Sequence, residues 1–138
     1  MNRSRHLLSN ARGATLIEFA LLAPILMVLL LGILAYGQYI LTAHTLQQLA
    51  NDAARAAIVA PSRADRETLA RDSVAEGLAG AALARPETVD TRFDEQNGRV
   101  LVAVTVDTRD LSLLRVAMVP MPAPILERRA VAELAELP

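Results

Sequence analysis

Cysteine, tryptophan and lysine are all absent from this 138-residue chain. Without cysteine there are no disulfides, thiolate nucleophiles or Cys-ligated zinc, and the redox compartment is left open. All 14 basic side chains are Arg, and we attach no functional weight to that bias. Aromatic residues are scarce, two Phe and two Tyr. At 14.8 kDa the length allows one small domain plus an anchor, and any membrane segment is subtracted from the soluble core.

Catalytic patterns are missing as well. No Ser-His-Asp arrangement, phosphate-cradling glycine loop or pair of catalytic carboxylates is recognisable, so neither an enzyme nor a cofactor is expected. The two histidines, His6 and His44, flank a long apolar run and cannot share a metal. Asp94-Glu95 before Asn97-Gly98 lacks the alternating oxygen ligands of a calcium loop and reads as turn chemistry. The net charge of −1 hides an asymmetry: residues 1–13 carry Arg3, Arg5 and Arg12 and no acid, which leaves 11 Arg against 15 acidic residues from 14 to 138. An acidic remainder is the opposite of a nucleic-acid-binding domain.

What the chain does have is a run of 25 residues without a formal charge, Phe19 to Ala43. About 20 helical residues cross a hydrocarbon core of about 30 Å, so this segment can span a bilayer. Arg3, Arg5 and Arg12 precede it, and the positive-inside rule puts the N-terminus in the cytoplasm. A cleaved signal peptide fits poorly, because the run is too long and Ile33 spoils the small-x-small site before Tyr36. Pro24 removes the hydrogen bond its N–H would have made to Ala20 and predicts a kink. Gly32 and Gly37 are small residues spaced five apart, a weak helix-packing signal.

Beyond the run, Leu46, Leu49, Ala50, Ala53 and Ala57 recur at helical spacing. The helix is expected to continue to about Val59 and stop at Pro61, one element of about 45 residues, far above ordinary globular length. Ser62 then caps a second helix, with Asp65 three residues on, an apolar stripe of Ala70, Val74, Leu78 and Ala81, and Pro86 as its close. From Thr88 to Phe93 the period changes to that of a strand. Asn97-Gly98 signals a hairpin with a loop of a few residues, and Val100, Val102, Val104 and Val106 fill one face of a second strand. Residues 107–124 read as irregular, with Pro120, Pro122 and Pro124 disfavouring helix and central strand. Ile125 to Leu134 suits a strand or a short helix; strand is preferred because a lone hairpin is marginal. Arg128-Arg129 reads as a solvated pair or as a contact to lipid headgroups or a partner.

One carboxylate, Glu18, stands at the mouth of the apolar run, where an acidic group is costly unless it reaches the interface or finds a partner. Before it come a short basic leader, Gly13 and the small residue Ala14, and after it Phe19 and the long helix. This combination resembles a type IV prepilin processing site. Glycine suits such a site physically, because a residue without Cβ lets a protease approach an extended backbone. Over residues 12–38, RGATLIEFALLAPILMVLLLGILAYGQ is similar to the opening of the TadE-like family, minor pseudopilins of the tight adherence (Flp pilus) system. Glu18-Phe19, Ala23-Pro24, Gly32 and Tyr36-Gly37 carry the likeness. It is looser downstream, and the lack of cysteine rules out a disulfide-stabilised head.

The resemblance implies cleavage between Gly13 and Ala14 by a membrane-embedded prepilin peptidase, and a Glu18 that faces the new α-amine of a neighbouring subunit. Pairing with the Ala14 amine of the same chain is the alternative, since Ala14 and Glu18 are at helical spacing. The fold expected is α+β: a leader (1–13), a transmembrane helix (14–43), and a pilin-like extracytoplasmic domain (44–138) with a second helix and a short antiparallel sheet. The expected setting is the inner membrane, single-pass. Its expected partners are the prepilin peptidase, a major Flp-type pilin, other minor pseudopilins, an inner-membrane assembly platform and lipid. Rival readings are an unprocessed single-pass envelope protein serving another complex, and an exported enzyme or binding domain, which no site supports.

Overall fold

A computed structural model of the chain describes residues 7–81, 88–110 and 123–134. The elements in chain order are helix α1 (Leu7–Ala57), helix α2 (Arg63–Gly80) and strands β1 (Val89–Gln96), β2 (Arg99–Asp107) and β3 (Ile125–Glu133). The architecture is α+β with one candidate membrane helix, as the sequence predicts.

Helix α1 is continuous over 51 residues. It is helical from Leu7 through the Gly13–Ala14 bond, because a single Gly13 costs only about 1 kcal/mol in a helix and nothing else from Leu7 to Ala14 breaks one. The helix also passes Pro24 without interruption. Beyond Ala57 the chain turns, with the Ala60 N–H donating to the Ala57 carbonyl at 3.2 Å, and Pro61 follows.

Ser62 caps α2 as expected. Its Oγ accepts from the Asp65 N–H at 3.2 Å and donates to the Asp65 carboxylate at 2.6 Å, and this satisfies a donor that the first helical turn leaves free. Ala70, Val74 and Leu78 form the buried stripe. The helix stops at Gly80, so Ala81 is its half-buried cap and not a fourth stripe residue. Pro86, the expected stop, lies outside the described residues.

The three strands form an antiparallel sheet in the order β1-β2-β3. Asn97 and Gly98 have φ of 51° and 70°, the positive values that a two-residue type I′ hairpin needs at both central positions. The loop is therefore shorter than expected. β1 runs on to Gln96, which pairs with Arg99. β3 pairs along all of β2, so the strand reading of Ile125–Leu134 holds for Ile125–Glu133. The helix propensity of its Ala, Glu and Leu yields to the open edge of β2 and to the alternation of Leu126 and Ala130 into the core. Thr108 follows β2 and closes the connection: its N–H donates to the Pro124 carbonyl at 2.8 Å and its hydroxyl to the Ala123 carbonyl at 3.0 Å. Pro120 and Pro122 lie outside the described residues.

The core is the junction of three surfaces. Leu46, Leu49, Ala50, Ala53, Ala54 and Ala57 of α1 meet Ala70, Val74 and Leu78 of α2 and the four valines of β2. Polar contacts tie the layers together. Gln47 donates to the Arg129 carbonyl at 3.1 Å and Arg71 to the Thr91 carbonyl at 3.2 Å. Arg66 grips both oxygens of Glu95 at 2.9 and 3.0 Å while donating to the Ala60 carbonyl at 2.8 Å. Within this pair the Arg66 hydrogen bonds hold the Glu95 carboxyl below its ordinary range, and Glu95 raises the guanidinium.

Two predictions follow from this packing. A Cβ on Gly77 would collide with Leu49 Cδ2, whereas one on Gly80 meets nothing within 4 Å. Gly77→Leu should therefore destabilise the head by about 1–3 kcal/mol and Gly80→Ala should change it by less than about 0.5 kcal/mol, read from thermal unfolding of the full chain in detergent. The second concerns acid. Arg109 hydrogen-bonds Asp107 and lowers its pKa from 3.8 to about 2, and Glu95 is lowered in the same direction. A depressed carboxylate stabilises the fold above its unfolded pKa and loses that contribution as pH falls through the folded value. The melting temperature should fall between pH ~4 and ~2, and Asp107→Asn should flatten part of that fall.

Candidate functional site

The residues singled out at the N-terminal end share one helix. Gly13, Ala14, Glu18 and Phe19 all lie within α1, so the Gly13–Ala14 bond is helical rather than extended. Arg3 and Arg5 lie outside the described residues, and of Arg12 only the helical backbone is described. Ala14 and Glu18 are four residues apart, about 6 Å along the axis and on one face. Glu18 is exposed and makes no side-chain hydrogen bond or ion pair among the described residues. Phe19 beside it is 66% exposed.

Above this point the helix is bare. Thirteen large apolar side chains between Leu16 and Leu34 are exposed, on every side of the rod. A Cβ added at Gly13, Gly32 or Gly37 would meet nothing within 4 Å. Burying a Leu, Ile or Phe side chain is worth roughly 1.5–3 kcal/mol, so the bare stretch in water would forgo on the order of 20 kcal/mol. Lipid or other helices must cover it. The first buried side chains are Ala35, 1% exposed, and Thr42, 2% exposed, with its hydroxyl donating to the Gln38 carbonyl at 2.9 Å, while Tyr36, Ile40 and Leu41 on other sides of the helix remain 41–54% exposed. Tyr39 and Ala43 already pack against the head's core. The bare residues 14–34 therefore amount to about 31 Å of helix, the thickness of a hydrocarbon core. The polar residues Gln38 and Thr42 inside the charge-free run were the signal for this inner boundary.

This geometry suits a rod with one carboxylate at its foot and a folded head at its other end. Residues 13–55 match the family model described as TadE-like protein. The chain carries the TadE-like segment. The match begins at Gly13, spans the bare rod and ends at Arg55, close to the end of α1; most of the head lies outside it. No curated protein and no solved structure matches the chain.

Elsewhere in the described residues the candidate chemistry is structural. Among the described residues no three His, Cys, Asp or Glu side chains gather as a metal site. Asp94 accepts from the Glu95 N–H at 2.8 Å and from Gln96 at 3.0 Å, while Glu95 is held by Arg66. Sequence reasoning missed two things. One is the Arg66–Glu95 clasp, whose partners are 29 residues apart. The other is the division of Arg128-Arg129: Arg129 is solvated and paired with Glu127, whereas Arg128 is half-buried on the face that meets α1.

The chain's lack of cysteine makes depth measurable with single-Cys variants. In sealed vesicles Leu26→Cys should resist a membrane-impermeant maleimide until detergent is added, while Asp52→Cys should react when its side of the vesicle is exposed.

Proposed function

We propose that the chain is a minor pseudopilin that takes part in assembling a tight adherence (Flp-type) pilus, and that a prepilin peptidase cuts it after Gly13. The carrying observation is the coincidence of the TadE-like match, which starts at Gly13, with an exposed carboxylate at the foot of a bare apolar helix. In this reading α1 spans the inner membrane once with its N-terminus in the cytoplasm, in line with Arg3, Arg5 and Arg12. The head lies on the extracytoplasmic side.

Because Gly13–Ala14 sits inside α1, cutting requires the helix to open there. Glycine makes that opening easier than alanine would by about 1 kcal/mol. The cut frees an α-amine on Ala14 and makes Glu18 the fifth residue. An isolated carboxylate in a low-dielectric setting costs several kcal/mol, so pairing with an amine, that of a neighbouring subunit or its own, favours one axial register. Glu18 is a docking group. The bare sides of α1 then pack against a major Flp-type pilin, other minor pseudopilins and the assembly platform.

One observation favours the rival, an unprocessed single-pass envelope protein: the helix is continuous from Leu7, with the cleavage bond unextended. N-terminal analysis of the protein from its native membrane separates the readings. A chain starting at Ala14 is expected; a start at Met1 favours the plain anchor, and a start near Tyr36 favours secretion. Gly13→Glu should block processing and pilus formation, and if neither changes, the prepilin reading is wrong. Glu18→Ala should spare the cut more than it spares assembly.

A further inference from the structure

The apolar surface of α1 is longer than a membrane is thick. Exposed large apolar side chains run from Leu16 to Leu41, a span of about 39 Å of helix against a hydrocarbon core of about 30 Å. The rod therefore has about 9 Å to spare, and its depth needs a further determinant.

The upper part of this surface is built to face lipid. Between Ala35 and Thr42 the outward side chains include Tyr36, Ile40 and Leu41, whereas Ala35 and Thr42 themselves are buried. The polar groups at this level are withdrawn: the Thr42 hydroxyl bonds the Gln38 carbonyl, and Gln38 Oε1 is buried. A helix face turned to water shows the reverse arrangement. On the head's side of the same level, Tyr39 and Ala43 pack against the core of the head. Hydrocarbon that covers Ile40 and Leu41 therefore brings the base of the head to the membrane surface.

The two ends of the surface compete for the same hydrocarbon. Covering Leu16 and Ile17 at the foot uncovers Ile40 and Leu41 at the top, and exchanging two large aliphatic side chains for two others is nearly neutral. Glu18 breaks the tie. It follows Leu16 and Ile17 on the rod, so a membrane that covers them takes its carboxylate in, and an acidic group inside hydrocarbon is costly. With Ile40 and Leu41 covered, the core reaches down only to about residue 22, and Glu18 stands about 6 Å outside it. Tilting the rod would cover both ends, but it takes the carboxylate in as well.

We propose that Glu18 sets the depth of the rod: its ionised carboxylate keeps Ile40 and Leu41 in the hydrocarbon and the head seated on the membrane, and neutralising it frees the rod to rise by about 9 Å. This rests on α1 spanning a bilayer and not on cleavage. In the pilus reading a neighbouring amine neutralises the carboxylate, so docking at the foot also lifts the head.

The test uses single-Cys variants of the full chain, one copy per phosphatidylcholine nanodisc, and reads the rate of reaction with a charged maleimide. With Glu18 in place, Leu41→Cys should react slowly and Leu16→Cys fast. Adding Glu18→Leu should reverse that order, each rate moving about tenfold, while Glu18→Asp should leave both as they are. Leu26→Cys should stay protected in every background; if it reacts, the spanning reading falls together with the proposal. Rates that Glu18→Leu does not change overturn the proposal alone. Protection of Leu16→Cys and Leu41→Cys together means a tilted rod and overturns it too. A faster Leu41→Cys without a slower Leu16→Cys means local loosening at the head, which also overturns it.

Discussion

The apolar stripe of α1 from Leu46 to Ala57 is the surface on which everything beyond the bare rod is assembled, since α2, β2 and β3 all bury their apolar faces against it. Four of its residues, Ala50, Ala53, Ala54 and Ala57, are small, and they let a second helix and a sheet approach one helix face together. Leu46 and Leu49 fill the remaining depth. Because the stripe belongs to the same unbroken helix as the rod, no linker separates head from membrane segment. The axial distance from Glu18 to Leu46 is set by helix geometry at about 42 Å. Any docking that fixes the foot of the rod therefore also fixes the height of the head.

A head this small has little apolar area to spend, and its polar contacts are concentrated where the layers would otherwise part. Ion pairs on open surface contribute little, and Arg71–Glu67 and Arg99–Glu133 are of that kind, with side chains 42–73% exposed. Arg66–Glu95 differs, being two-pronged and only 14% and 16% exposed. It ties the first turn of α2, the α1–α2 turn and the far end of β1 into one junction. Thr108 does the same for the β2–β3 connection, turning a buried hydroxyl and amide onto the carbonyls of Ala123 and Pro124. The close approach at Gly77 is the apolar counterpart, where the absence of a Cβ lets Leu49 seat against α2.

Local chemistry was readable where one segment settled its own conformation. Ser62 and Asp65 announce a helix start because the cap needs only three residues, and Asn97-Gly98 announces a hairpin because both tolerate positive φ. The valines of β2 show their face by period alone. Errors arose where the outcome depended on distant chain. β1 was read as ending at Phe93, but pairing with β2 draws it on to Gln96. Glu18 and Gly13 were visible as a pattern because they are close in sequence, whereas the groove beside Arg128 was not, because its neighbours Tyr39 and His44 lie more than 80 residues away.

The sequence by itself determined that a long charge-free helix leads into an amphipathic one, that a capped helix and a valine-rich hairpin follow, and that a lone carboxylate stands at the helix foot. Period, charge and turn residues are properties of neighbouring positions, and no folding is needed to see them. Only the tertiary structure decided where the rod leaves the head, at Ala35 well inside the apolar run. It also decided that Glu95 belongs to Arg66, and that Arg128 faces the helix while Arg129 faces water. Each of these depends on burial by residues far along the chain, and burial is not encoded at the position it affects.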